Sequence, residues 1–217
     1  MTLWKVLAAS AVGLLCAASV LPQNTALAQG MMQQTQAAPP TVRVRGTITA
    51  IDGGVLTVKA RDGAEMKLKL ADNAPVNEIV KASLADVKTG AYVAVTGLPQ
   101  PDGSQKALAV FIFPEAQRGL AEGYRPWDFA ANSTMTNATV DTIVTGTDGH
   151  TLTVKYKDGE KKIIVPPDVP IVKYVPGNKD ELKPGAKIMI FAAIKQPDGT
   201  LETPNISVGL NGLTPPM

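Results

Sequence analysis

The sequence predicts an all-β protein built from two tandem five-stranded barrels joined by an ordered aromatic linker. Three observations carry this. An internal repeat recurs at an offset of 96 residues, apolar residues alternate with a period of two, and Asp-Gly pairs punctuate the strands. The chain has 217 residues, 45% hydrophobic and 18% charged, with 19 Gly and 17 Pro. That is the composition of a globular chain with many short strands and turns, long enough for two modest domains.

The first segment, 1–28, reads as a secretory signal peptide. Lys5 precedes an apolar run from Val6 to Leu21, and Ala26-Leu27-Ala28 places small residues where a signal peptidase needs them, predicting cleavage after Ala28. The run is shorter than the about 20 residues a spanning helix needs, so after cleavage the chain is expected not to span a membrane and to be periplasmic or secreted. Cys16, the one cysteine, lies inside this segment behind Leu15 rather than a small residue, which argues against lipidation. The mature chain then has no cysteine for disulfides, thiolate metal sites or nucleophiles. Residues 29–41 lack apolar periodicity and are expected to form a flexible lead-in.

Within the first repeat, 42–114, "VRVRGTITAI" is the first strand. In "VLTVKAR", Leu56, Val58 and Ala60 share one face and Thr57, Lys59 and Arg61 the other. Asp62-Gly63 turns a hairpin into "AEMKLKL", with Met66, Leu68 and Leu70 inward. "VNEIVKASLADVKTG" holds a short helix in this reading, capped by Ser83 and ended at Gly90. "AYVAVTG" and "KALAVFIF" are the fourth and fifth strands. The second repeat, 138–210, restates the pattern: "TAIDGGVLTVKARDG" at 49–63 becomes "TGTDGHTLTVKYKDG" at 145–159, and "DVKTGAYVAV" becomes "ELKPGAKIMI". Its third-to-fourth connection carries Pro176 and Pro184 and reads as loop. Residues 211–217 form a tail.

Five short strands with one longer connection after the third describe an OB-like barrel, a fold that closes its sheet and leaves few edges. The pattern of turn glycines, "LTV" strands and "SLADVKTG" resembles a family of exported bacterial proteins known only as a domain of unknown function. The resemblance covers 44–113 well and 138–209 more loosely. It implies fold and compartment, and no reaction.

Chemistry is sparse. The net charge of +2 falls to +1 without Lys5, too small an excess for phosphate neutralisation, so nucleic acid is not an expected partner. His150, the one histidine, occupies a turn. Asp52, Asp62, Asp102, Asp148, Asp158 and Asp198 each precede glycine and serve turns. No nucleophile elbow, phosphate loop or dinucleotide fingerprint is present. No catalytic residue, cofactor or metal site is therefore assigned. The expected function is a non-enzymatic binding or scaffold protein engaging an envelope protein or an anionic glycan or lipid. The alternative is a metal-binding or metal-trafficking protein drawing on Met31, Met32, His150 and the acidic turns.

Two sets of residues are candidates for that binding. Lys59, Arg61, Lys67 and Lys69 in the first repeat, and Lys155 and Lys157 in the second, lie on the strand-two and strand-three face that serves as the ligand face in OB folds. The linker, 115–137, contains "GYRPWDFAANSTMTN", where Tyr124, Trp127 and Phe129 crowd into six residues. This stretch is either a strap fastening two barrels or a groove lined by Arg125, Trp127, Asp128 and, further along, Met135. Ser133, Thr134, Thr136 and Asn137 are expected to make turn hydrogen bonds ahead of the second repeat.

Overall fold

The computed structural model describes residues 40–146 and 149–216; the expected signal peptide and residues 29–39 of the expected lead-in lie outside them, while Thr41, the last residue of that lead-in, is already strand. Strands account for nearly all the regular structure. They are β1 (Thr41–Asp52), β2 (Val55–Ala60), β3 (Glu65–Leu70), β4 (Val76–Ala82), β5 (Tyr92–Pro99), β6 (Gln105–Ile112) and β7 (Gly123–Pro126). The second half adds β8 (Thr134–Gly146), β9 (Gly149–Tyr156), β10 (Gly159–Val165), β11 (Ile171–Pro176), β12 (Lys187–Lys195), β13 (Leu201–Thr203) and β14 (Ile206–Gly209). Among the described residues no helix is long and apolar enough to cross a membrane.

The hairpins form where alternation and turn chemistry place them. β2 and β3 pair from Val55↔Lys69 to Lys59↔Glu65, around a turn in which Gly63 takes φ +89° and Asp62 Oδ1 accepts from the Ala64 amide at 3.0 Å. Asp102 and Asp198 make the same contact to Ser104 and Thr200. The hydroxyls of those residues hold both carboxyls below their ordinary value. These are the turn roles the Asp-Gly pairs predict.

Pairing closes a five-stranded barrel, β1–β2–β3–β13–β12 and back to β1. β5, β6, β10, β9 and β8 are hydrogen-bonded in a second circuit of the same order. In each, the first three strands come from one repeat and the last two from the other. The structure here departs from one barrel per repeat. The departure begins at 76–82, an extended strand ahead of the short helix that Ser83 is expected to cap. Val76, Ile79 and Val80 suit a strand, and only the single 3₁₀ turn Leu84–Asp86, with its Ser83–Asp86 capping box, is helical.

β4 therefore runs straight on rather than folding back. It pairs with β11 from Ile171↔Ala82 to Pro176↔Asn77, and each of the two strands also borders a strand of the other repeat, β14 for β4 and β6 for β11. Each circuit encloses its own apolar core, one around Ile48, Val58, Leu68 and Ile190, the other around Val95, Val110, Val154 and Ile163. A third cluster, with Ile79, Phe111, Met135 and Met189 at its centre, joins them along the β4–β11 pair.

Shared circuits make the repeats interdependent. Residues 1–121 and 122–217 produced separately should each lack a cooperative unfolding transition, and mixing them should restore one. A cooperative transition in either half alone would contradict the strand exchange.

Candidate functional site

The linker enters the structure as strand. Residues Thr134–Asn137 of β8 lie between β5 and β7, so of the four residues expected to make turn hydrogen bonds only Ser133 does so; the others belong to a paired strand, and alternation gives its two faces different tasks. Thr134 and Thr136 turn toward Gln105, which is fully buried. Gln105 Nε2 donates to Thr134 Oγ1 at 2.8 Å, and Thr136 Oγ1 donates to Gln105 Oε1 at 2.8 Å. Met135 and Asn137, on the other face, line a cavity of ≈ 610 Å³.

An aromatic floor runs under this cavity. Phe111 and Phe113 have ring centroids 5.6 Å apart, and Tyr174 stands 4.1 Å from Phe111. Burial pushes the Tyr174 phenol up to about 12. Its hydroxyl meets Ser207 Oγ at 3.4 Å. Phe191 and Trp127, 6.5 Å apart, close one side.

Trp127 is held by its own loop. Its amide donates to Ser133 O at 2.8 Å, while Ser133 Oγ donates to Trp127 O and accepts from the Ala130 amide, both at 3.0 Å. Arg43 lies 4.2 Å from the indole centroid and Arg125 5.6 Å, within cation–π range. Asp128, next in the chain, accepts from Arg45 at 2.7 Å and from Arg43 at 3.2 Å. The Arg45 hydrogen bond holds its carboxyl below the usual carboxylate value. The linker is thus tied by charge to β1, 85 positions earlier at Arg43.

Opposite Trp127, the segment 115–122 supplies a rim. The Leu120 carbonyl accepts from Tyr92 Oη at 3.1 Å and from Asn137 Nδ2 at 3.0 Å, and burial raises the Tyr92 phenol to about 12. The next carbonyl, of Ala121, accepts from Arg125 Nη1 at 2.7 Å. Ala121 itself takes φ +48°, a left-handed turn that costs a non-glycine residue energy. Leu120 is left 54% exposed at the edge.

Three buried side-chain polar atoms lack a hydrogen-bond partner among the described residues: Gln117 Oε1, Trp127 Nε1 and Asn137 Oδ1. All three residues line this one cavity, and no Asp or Glu does. An unpaired buried polar atom costs about 1–3 kcal/mol, so the cavity's walls hold three polar groups left unsatisfied among the described residues. Arg125 adds to this. It is part-buried and makes no ion pair among the described contacts, and its surroundings lower its pKa, burial first and the Arg43 charge second.

Of the residues expected from sequence, Arg125 and Trp127 line the cavity, and Asp128 braces it through Arg43 and Arg45. The lysine faces lie elsewhere. Lys59, Lys67 and Lys69 project to solvent from β2 and β3, with Glu65 opposite Lys59. Arg61 donates to the Pro215 carbonyl at 3.0 Å and lies 5.8 Å from the Phe129 ring, clasping the tail. Lys155 pairs with Asp141 at 3.0 Å, and the Lys157 amide donates to Glu122. His150 stands in β9 opposite Thr145 and Val165 rather than in a turn. Among the described residues no three His, Cys, Asp or Glu side chains converge as metal ligands.

Sequence reasoning missed Arg43, Gln117 and Asn137. The only signal was the alternation of "VRVRG", which sets Arg43 and Arg45 on one face. Comparison of the chain with known families, curated proteins and solved structures gives no match in any of the three.

The Asp128 pairs generate a pH prediction. The depressed folded-state value means their contribution is present above the ordinary carboxylate pKa and is lost as pH falls through the folded one. Asp128→Asn should lower stability by about 1 kcal/mol or less at pH 7, as half-exposed pairs do, and the gap to wild type should close in strong acid. A gap of constant size from pH 7 to pH 2, followed by denaturant titration, would contradict the pairing.

Proposed function

We propose that this chain is an exported, non-enzymatic binding protein that holds an anionic ligand in the cavity bounded by Trp127 and Arg125. One observation carries the reading: two guanidinium groups and no carboxylate line this cavity, among the residues that carry every orphaned buried side-chain polar atom of the described chain. A space of ≈ 610 Å³ lies within the about 300–1,000 Å³ of small-molecule sites, which are largely apolar with a few placed polar groups. The strand circuits, each running first, second, third, fifth, fourth with the third and fifth parallel, support reading them as two OB-like barrels that have exchanged strands. Export rests on the N-terminal segment, and the resemblance to an exported family points the same way.

On this reading the strap and the groove are one object. Asp128 fastens the linker to β1, and that attachment presents Trp127 and Arg43 to the ligand. The lysine faces keep the sheets solvated and resistant to edge pairing. Native mass spectrometry of protein taken from the envelope fraction of its producing cell should reveal an added small-molecule mass lost on denaturation. Arg43→Gln with Arg125→Gln should abolish that mass, while Lys59, Arg61, Lys67 and Lys69 changed to Glu should retain it. Retention in the first variant and loss in the second would move the site to the barrel face.

A further inference from the structure

The rim opposite Trp127 ends in a short stretch, 119–122, that closes the cavity without being built into either barrel. Its backbone makes two hydrogen bonds among the described contacts, both local: the Leu120 amide donates to Gln117 O at 3.1 Å and the Glu122 amide to Gly119 O at 3.3 Å. Neither Leu120 nor Ala121 belongs to the three apolar clusters, and Leu120 is 54% exposed. Glycines with positive φ bracket the stretch, Gly119 at +82° and Gly123 at +121°, and Ala121 between them sits at +48°. A segment with few buried apolar contacts opens at lower free energy than the core around it.

Polar contacts hold this stretch shut. The Lys157 amide donates to Glu122 Oε1 at 3.0 Å, in an exposed position. At the centre, three donors of the body converge on two successive carbonyls. Tyr92 Oη and Asn137 Nδ2 donate to Leu120 O, and Arg125 Nη1 donates to Ala121 O. Tyr92 is 2% exposed, and the charges that act on its phenol are those of Glu122, Arg125 and Arg118, so its hydroxyl faces the rim. Asn137 Oδ1 and Gln117 Oε1 are buried without partners in this arrangement. No ligand reaches them while the rim stays where it is.

We propose that residues 119–122 form a flap, shut in this structure, that swings on Gly119 and Gly123 and must open before a ligand reaches the polar end of the cavity. Opening releases Tyr92 Oη, Asn137 Nδ2 and Arg125 Nη1 together and uncovers Asn137 Oδ1. The Leu120 and Ala121 carbonyls hold the place of a ligand's oxygen atoms while the site is empty. The cost of φ +48° at Ala121 works against the shut state, so the latch is poised rather than locked. The ligand's part in this rests on the anion-binding reading given above, whereas the motion of the flap is measured without any ligand.

The readout is the Tyr92 hydroxyl. N-acetylimidazole acetylates accessible phenols, and peptide mass spectrometry locates the hydroxylamine-labile label. Tyr124, 40% exposed, serves as the internal reference. Three full-length chains are compared: the parent, Ala121→Pro and Ala121→Gly. Proline cannot take φ +48°, and the Ala121 amide makes no hydrogen bond among the described contacts, so this change unlatches the flap without removing a bond. Glycine takes that torsion without the cost alanine bears and favours the shut flap. The Tyr92-to-Tyr124 labelling ratio should rise about tenfold in Ala121→Pro and fall about two- to threefold in Ala121→Gly.

That order, proline variant above parent above glycine variant, is the expected result. Any other order, equal labelling included, would overturn the flap. Should Ala121→Pro fail to unfold cooperatively like the parent, the parent and Ala121→Gly decide between themselves. The outcome is separate from the mass-spectrometric search: a rigid rim would leave the anion site standing, and a protein isolated without added mass would leave the flap standing.

Discussion

The antiparallel pairing of β4 with β11 is the contact on which the rest depends. These two strands occupy equivalent places in the repeats, and each leads its chain out of one circuit and into the other. Because they are extended and hydrogen-bonded to one another from Ile171↔Ala82 to Pro176↔Asn77, neither can fold back to close a barrel within its own repeat. β5 and β6 are thereby delivered to β8–β10, and β12 and β13 to β1–β3. The exchange conserves the local contacts a single-repeat barrel would make, since the repeats are alike. What it adds is the pairing at the crossing and the third apolar cluster beside it.

The cavity follows from that crossing. Phe111 and Tyr174 reach it from β6 and β11, adjacent parallel strands of different repeats. Their rings pack at a tilt of 56°, centroids 4.1 Å apart, within the third apolar cluster. The linker then crosses the remaining gap, and its attachments are of two physical kinds. Backbone pairing of β7 with β8 and the Ser133 hydrogen bonds fix its shape. The Asp128 pairs fix its position against β1. Exposed ion pairs contribute little to stability, so their value lies in register: they set Arg43 over the indole, where its charge faces the cavity.

Much of the fold was legible because it is local. Period-two alternation located the barrel strands, and Asp-Gly pairs located the hairpins. Both depend on residues a few positions apart. The strand partners were not legible, and the repeat is the reason. "VRVRGTITAI" presents the same face to "AYVAVTG" as to "KIMIFAA", so pattern alone assigns it to either. The short helix expected after Ser83 is reduced to one 3₁₀ turn, Leu84–Asp86, and the strand ahead of it, with Val76, Ile79 and Val80, was not legible because its partner β11 lies in the other repeat. In the site, Trp127 and Arg125 stood out as an aromatic cluster beside a cation. Arg43 meets Asp128 across 85 positions, and Asn137 hid in a polar run, "STMTN", that reads as turn until β5 and β7 are seen to flank it.

Strand exchange between the repeats is the central claim, and a cysteine pair reports on it directly. Thr47 of β1 faces Lys187 of β12, whereas the position equivalent to Lys187 within the first repeat is Tyr92. In a Cys16→Ser background, Thr47→Cys with Lys187→Cys should form a disulfide within one monomer under mild oxidation, and Thr47→Cys with Tyr92→Cys should not. Efficient closure of the second pair, with the first remaining reduced, would mean that each repeat completes its own barrel and would contradict the account.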